Sequence, residues 1–147
     1  MPYADWAGVT RDLTTALEQL AEGEFLIMGE SSRTRGLRRR LSGRQHQPPP
    51  TRYVQVLRVD EIFSAECVGA TRLGGTWAMN DATIEQLCRM GWLTPEESRV
   101  EFGNVTPNFD TYVELGHVHG LADLMVASLA VLGARPEDLD LRFSAAA

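Results

Sequence analysis

The closely spaced histidines, His117 and His119, are the first residues in this chain that could do chemistry, because imidazole is the commonest metal ligand. Histidines that bind one ion from a helix are usually three to five residues apart, whereas a spacing of two splays them around a helix. Glu114 and Asp123 are close in sequence, but neither completes an obvious ligand set. We therefore expect a solvated helix start rather than a metal site, and no cofactor.

Three adjacent acidic pairs could supply a general acid and a general base: Asp60-Glu61, Glu96-Glu97 and Glu137-Asp138. All three fall in expected turns or at expected helix starts, where acidic side chains favour the helix dipole. Nothing in the sequence indicates that any of them is buried in a cleft. The chain also has no Gly-x-Ser-x-Gly, no P-loop, no dinucleotide-binding glycine motif and no lysine for a Schiff base. These observations predict a protein that is not an enzyme.

The strongest signal is a separation of charge, since residues 31–52, here named the arginine segment, contain no acidic residue. The segment holds seven of the fourteen basic residues, namely Arg33, Arg35, Arg38, Arg39, Arg40, Arg44 and Arg52. It carries +7 in a chain of net charge −6, so the remaining residues together carry −13. Its composition, including Pro48-Pro49-Pro50, predicts a flexible loop. Fields of this size act on association, and we therefore expect a partner surface here.

Three interpretations of the arginine segment stay open: a solvated insertion, a docking element for an acidic protein, and a nucleic-acid contact. Guanidinium groups pair with carboxylates and phosphates alike. No aromatic residue is interleaved with the arginines, which disfavours stacking on single-stranded nucleic acid, and we favour a protein partner. Trp77 is a further candidate for the partner surface because tryptophan is enriched in binding hot spots, whereas we expect Trp6 and Trp92 in the core.

Apolar residues at helical spacing predict a first helix from Trp6 to Leu20, with Asp5 as N-cap and Gly23 as the stop. A last helix is predicted from about His117 to Leu132. It carries one apolar stripe of Val118, Leu121, Ala122, Met125, Leu129 and Leu132, and a second of Leu124, Val126 and Val131. A helix that is apolar on two sides is either central to the fold or shared with another subunit. We expect a homodimer through this helix or the sheet edge beside it.

Short apolar or alternating runs predict strands at Phe25–Met28, Tyr53–Val59 and Ile62–Gly69, the last two forming a hairpin. A second helix is expected to begin after Asn80 and end at Gly91. Arg99–Val105 is expected to be a strand whose Val100 and Phe102 side chains point inward. Tyr112–Leu115 is expected to be either a strand or the lead-in to a helix, and Leu139–Phe143 is expected to be a short final strand. The predicted fold is α+β, with an antiparallel β-sheet packed against the N- and C-terminal helices.

A chain of 147 residues with 44% hydrophobic content suits one domain, which we place at residues 1–147. Met1–Trp6 has no signal-peptide character, and the longest apolar segment, Leu121–Leu132, is too short to span a bilayer. We expect a cytoplasmic protein without a membrane partner. Cys67 and Cys88 are expected to be small buried hydrophobes rather than a disulfide.

Several short motifs together resemble a known family. They are Trp6, Leu13, Leu17 and Leu20 in the first helix, Phe25–Met28, Tyr53–Val56, Ala65–Gly69, the pair Gly91-Trp92, the pair Asn108-Phe109, and the run from Leu121 to Leu139. This pattern resembles the actinobacterial TY-Chap domains related to YbjN and to type III secretion chaperones. The resemblance implies a small, commonly dimeric, chaperone-like α+β module without cofactor, which holds a client segment or regulates a partner protein. The arginine segment departs from the family pattern.

Overall fold

The computed structural model describes residues 3–30, 51–104 and 106–145. These ranges contain four α-helices: α1 (Trp6–Gln19), α2 (Asp81–Met90), α3 (Pro95–Phe102) and α4 (Val118–Val131). They also contain five strands: β1 (Glu24–Glu30), β2 (Tyr53–Val59), β3 (Ile62–Cys67), β4 (Phe109–Glu114) and β5 (Leu139–Ala145). Residues 31–50, which include all the predicted partner-binding arginines from Arg33 to Arg44, lie outside the described ranges.

The five strands form one antiparallel sheet in the order β4-β3-β2-β1-β5. Strand β5 returns beside β1, so the last strand of the chain pairs with the first. Helices α1 and α4 pack together on one face of this sheet and bury its alternate side chains. This core includes Leu13, Leu17, Leu26, Met28, Val54, Val56, Phe63, Cys67, Trp92, Phe109, Leu121, Met125 and Leu129. The prediction of an α+β fold with an antiparallel sheet covered by the first and last helices is confirmed.

The ends of α1 and α2 follow the predicted capping residues. The Asp5 carboxylate accepts a hydrogen bond from the Gly8 amide at 2.9 Å, and the Asn80 side chain accepts from the Thr83 amide at 2.9 Å. Each bond satisfies an amide that has no partner within its helix. Gly91 ends α2 with φ at +119°, a conformation that favours glycine. Helix α1 ends at Gln19 with Leu20 as its C-cap, close to the predicted end, whereas the predicted stop, Gly23, belongs to the turn that enters β1.

The strand predicted at Arg99–Val105 is wrong, because Arg99–Phe102 belong to helix α3 and Gly103 is its C-cap, while Val105 lies outside the described residues. The Thr94 hydroxyl accepts from the Glu97 amide while the Glu97 carboxylate accepts from the Thr94 amide, and Pro95 occupies the first turn. This capping box, together with a proline preset for helical φ, outweighs the short apolar alternation that suggested a strand. Val100 and Phe102, predicted to point inward, are 82% and 49% exposed.

The ambiguous stretch Tyr112–Leu115 resolves as part of strand β4, which begins at Phe109 and pairs with β3. Both cysteines are free and Cys67 is buried, as predicted, whereas Cys88, also predicted to be buried, is half-buried. The first apolar stripe of α4 is buried except for Val118, which is half-buried. Leu124, Val126 and Val131 of the second stripe are also half-buried against the same core. None of the helices in the described ranges is long and apolar enough to cross a membrane.

Candidate functional site

One face of the sheet carries side chains that the helices of the described ranges leave half-buried. It is named here the open face and is formed by the half-buried Phe25, Ile27, Tyr53, Gln55, Leu57, Ser64, Glu66 and Tyr112, together with Asp110, which is buried. In β1, β2 and β3 these residues alternate with fully buried ones, because successive side chains of a strand point to opposite faces. Helix α3 covers this face at β4, where the Phe102 and Tyr112 rings lie 4.6 Å apart. Within the described ranges, no helix covers the rest of the open face, which is therefore accessible to a ligand.

A depression over the first three strands has an apolar floor. It is a cavity of about 320 Å³ lined by Phe25, Gln55, Val56, Leu57, Ser64 and Glu66, and it is named here the apolar cavity. Phe25 and Leu57 are direct cross-strand partners, as are Leu57 and Ser64. Cross-strand partners on one face lie within contact distance, so the two large apolar side chains form a continuous surface. Such a surface suits an apolar side chain of a ligand.

A polar network adjoins the apolar cavity and is centred on the Glu66 carboxylate. Its Oε1 accepts hydrogen bonds from the Asn108 amide and the Thr106 hydroxyl, both at 3.0 Å, and its Oε2 accepts from the Gln55 amide at 3.0 Å. Asn108 also donates to the Tyr53 hydroxyl at 3.1 Å and accepts from the Gly69 amide at 3.0 Å. The network thus fixes the loop before β4 to strands β2 and β3.

A second cavity of about 330 Å³ lies over β3 and β4 and is named here the carboxylate cavity. It is lined by Ser64, Glu66, Asn104, Thr106, Asp110 and Tyr112, so it shares Ser64 and Glu66 with the apolar cavity. Asp110 Oδ2 accepts from the Ser98 hydroxyl at 2.6 Å and from the Asn104 amide at 3.1 Å. Asn104 also contacts the Tyr112 hydroxyl. The loop after α3 therefore builds one wall of this cavity through Asn104 and Thr106, and Ser98 of α3 holds the Asp110 carboxylate.

The shifted pKa values within the described ranges are all raised, and burial is the first cause of each. Burial raises the pKa of the Tyr53 hydroxyl, with a further contribution from the Glu66 charge that the Asn108 hydrogen bond opposes. Burial likewise raises the pKa of the Cys67 thiol to about 12, which keeps it in its unreactive protonated form. The Cys88 pKa is also raised, first by burial and then by the charges of Glu97 and Glu85.

The residues that suggested metal or acid–base chemistry lie outside the two cavities. His117 and His119 are exposed at the start of α4, as predicted for a solvated helix start. The acidic pairs occupy the β2–β3 turn, the first turn of α3 and a 3₁₀ turn before β5, as expected. Across the described parts of the chain, no group of three or more His, Cys, Asp or Glu side chains could hold a metal ion.

Of the predicted partner residues, Trp77 lies in the described ranges, where it is half-buried. The Arg52 guanidinium stacks over its ring, 4.4 Å from the ring centroid. Arg52 also donates to the Leu132 carbonyl at 2.9 Å and forms a salt bridge with Glu30 at 2.6 Å. The backbones of Glu30 and Arg52 are joined as well, since the Glu30 amide donates to the Arg52 carbonyl at 3.0 Å. This Glu30–Arg52 clamp joins the two points where the described chain meets residues 31–50.

The sequence interpretation did not select Glu66, Asn108 or Asp110 as site residues. A signal for Glu66 was present, because it alternates with Ala65 and Cys67 in a predicted strand and so had to face away from the core. Asp110 gave no such signal, since its position opposite Glu66 depends on the β3–β4 register. The wrong strand at Arg99–Val105 also concealed the helix that borders this site.

These features define an α+β protein built on one half-covered antiparallel sheet, with adjoining apolar and acidic cavities on the open face. The model of the family described as T3SS (YopN, CesT) and YbjN peptide-binding chaperone 3, TY-Chap3, matches residues 2–146. The chain belongs to this family, which confirms the resemblance drawn from its sequence. Neither a curated protein nor a solved structure matches the chain.

Proposed function

We propose that this protein is a non-enzymatic, chaperone-like module that binds a segment of a client protein on the open face of its sheet. The observation that carries this proposal is the pair of adjoining cavities, one apolar and one acidic, on the face opposite α1 and α4. The family description, a peptide-binding chaperone, supports the same role. A client segment with mixed apolar and polar side chains would fit such a surface, since pockets of this kind combine apolar lining with a few polar groups.

The proposal is tested by filling the two cavities from their shared wall. Ser64→Trp places a large side chain where both cavities meet, whereas Thr15→Trp adds the same side chain to an exposed position of α1 as a matched control. A displayed peptide library is first selected on the parent protein. We expect the selected peptides to lose binding to Ser64→Trp and to keep it with Thr15→Trp, while both variants retain the parent melting temperature. Equal binding of the selected peptides to both variants would contradict a site on the open face.

We further propose that Arg33, Arg35, Arg38, Arg39, Arg40 and Arg44, with Trp77 beside the clamp, contact an acidic region of the client or regulatory partner. The separation of +7 from an otherwise acidic chain supports this role, because opposite charges steer association. Capture of partners from the native cell by the tagged protein, followed by mass spectrometry, identifies the client and is best done from the cytoplasm, where we place the protein.

A homodimer through α4 or the neighbouring sheet edge is the proposed assembly. The half-buried second stripe of α4, namely Leu124, Val126 and Val131, supports it, because a dimer would bury more of these side chains. Light scattering at tens of micromolar tests the assembly. A mass twice the 16.3 kDa of one chain is expected, and a mass of one chain would contradict it.

A further inference from the structure

The Glu66 and Asp110 carboxylates lie side by side in the carboxylate cavity. The two residues are direct partners in the β3–β4 register, which places their Cβ atoms about 4.5–5.5 Å apart. Like charges in directly opposed positions destabilise a sheet. The donors that reach them from described residues are neutral hydroxyls and amides, and neither carboxylate takes part in the ion pairs found in the described ranges. The pair therefore lacks a positive charge from these parts of the chain.

Asp110 adds a second, independent observation. The residue is only 2% exposed, and its Oδ1 is a buried oxygen without a hydrogen-bond donor among the described residues. Buried polar atoms are nearly always hydrogen-bonded, and one without a partner is costly. Because Asp110 lines the carboxylate cavity, a donor that enters the cavity would lie next to this carboxylate.

Among the described strands, Arg142 is the basic residue placed on the open face, and it is too far from Glu66 and Asp110 to pair with them. Arg142 of β5 is the cross-strand partner of Ile27 in β1. The same row of partners continues from Ile27 to Gln55 in β2 and to Glu66 in β3. Three strand spacings separate Arg142 from Glu66, which amounts to about 14 Å. Arg142 is paired instead with Asp140 at 3.5 Å. Within the described strands, this row therefore brings no positive charge to Glu66 and Asp110.

We propose that the client segment carries an apolar side chain and, two residues later, an arginine or lysine whose charged group enters the carboxylate cavity. This inference rests on the proposed function. The cavity is lined by two carboxylates and by the hydroxyl oxygens of Ser64, Thr106 and Tyr112. These acceptors suit a cationic group that donates several hydrogen bonds, such as a guanidinium or an ammonium group. A metal ion fits less well, because a third acidic, histidine or cysteine ligand is lacking in the described ranges.

The spacing of the two client residues follows from the spacing of the cavities. The apolar cavity is centred on β2 and the carboxylate cavity between β3 and β4, so their centres differ by about one and a half to two strand spacings, or about 7–10 Å. Residues i and i+2 of an extended peptide point to the same side and lie about 6.6–7 Å apart. An apolar-x-basic pattern therefore reaches both cavities at once.

The test compares three capped, fluorescein-labelled nonapeptides made of alanine and serine around a central Leu-Ser-Arg, Leu-Ser-Gln or Ser-Ser-Arg. They are titrated against the parent protein, Glu66→Gln and the matched control Glu114→Gln, which removes an exposed carboxylate from the same face of β4. We expect the parent and Glu114→Gln to bind the Leu-Ser-Arg peptide at least about tenfold more tightly than the other two. We expect Glu66→Gln to lose the preference for arginine over glutamine and to keep the preference for leucine over serine.

The outcomes separate this inference from the proposed function. Equal affinity of the parent for the Leu-Ser-Arg and Leu-Ser-Gln peptides, with binding blocked by Ser64→Trp, would overturn the basic residue and leave the client site standing. Peptide binding that Ser64→Trp does not reduce would overturn both the basic client residue and the client site on the open face. The comparison of peptides on the parent needs no variant, so it decides the question even if Glu66→Gln fails to fold.

Discussion

The Trp92 indole donates a hydrogen bond of 2.8 Å to the Ser128 hydroxyl inside the core, where both residues are almost completely buried. Ser128 in turn donates to the Leu124 carbonyl at 2.6 Å, one turn earlier in α4. The loop after α2 is thereby attached to the central helix through a polar contact in an apolar environment.

Ser128→Ala should lower the free energy of unfolding by about 1–3 kcal/mol, because it leaves the buried indole N–H without an acceptor. Thr14→Ala is the matched control, since the Thr14 hydroxyl makes the same bond to a carbonyl one turn earlier, at 2.8 Å, and serves no indole. We expect the control to cost less than about 0.5 kcal/mol. Urea unfolding measures both, and Trp92→Phe combined with Ser128→Ala should show non-additive costs. Equal costs for Ser128→Ala and Thr14→Ala would argue against this bond.

Arg52→Ala should destabilise the protein by about 1.5–3 kcal/mol, because charged hydrogen bonds to Glu30 and to the Leu132 carbonyl are lost together with stacking on Trp77. Its comparison is Arg72→Ala, which breaks an exposed ion pair with Asp81 and should cost less than about 1 kcal/mol. Thermal and urea unfolding of the two variants give the difference. A cost for Arg52→Ala no larger than that for Arg72→Ala would refute the structural role of the clamp.

The pH dependence of stability should contain a contribution from Cys67. Its pKa rises from 9.0 to about 12 on folding because burial disfavours the thiolate. The stabilisation is therefore fully present below about pH 9 and is lost as the pH rises from 9 to 12. Urea unfolding should show a smaller loss of stability over this interval for Cys67→Ala than for the parent.

The same burial should protect the Cys67 thiol from reagents. In a Cys88→Ala background, a disulfide reagent at pH 8 should leave Cys67 unmodified in the native protein and modify it fully in urea. Rapid modification without denaturant would contradict the buried position of this thiol.

The change of Arg38, Arg39 and Arg40 to serine should weaken client capture and leave the melting temperature unchanged, because the described core is assembled from residues outside 31–50. The charge-matched control changes Arg72, Arg89 and Arg99, which are exposed on the body of the protein, to serine. We expect the control to capture the client like the parent. If the parent binds DNA or RNA at submicromolar affinity in 150 mM salt, with a steep salt dependence that only the first variant loses, a nucleic-acid role replaces the protein partner.

Hydrophobic periodicity and helix-capping signals explain which parts of the fold could be predicted from the sequence. Strands β1 and β2 were predictable as short, largely apolar runs, and β3 was predictable because apolar and polar residues alternate around Ala65. Helix α3 was mispredicted although the Thr94-x-x-Glu97 capping signature was visible, because two apolar residues alternate beyond it and both lie exposed. A capping signature therefore predicts a helix start more reliably than a short apolar alternation predicts buried side chains.

The site was less predictable than the fold because its parts come from distant points of the chain. Glu66 and Asp110 belong to strands separated by α2 and α3, and their contact follows from the β3–β4 register. The return of β5 to β1 likewise depends on the packing of α4 against the sheet rather than on a local signal.

The Glu30–Arg52 clamp also bears on how this chain can diversify. Since sheet hydrogen bonds and a salt bridge join Glu30 to Arg52, the described fold itself holds these two positions together, and a flexible segment placed between them would cost mainly the entropy of closing a loop. That cost grows slowly, by only about 0.6 kcal/mol for each doubling of loop length. The position between β1 and β2 is therefore a natural graft point, where length and charge can change between relatives, or be exchanged by design, while the sheet and its open face stay the same.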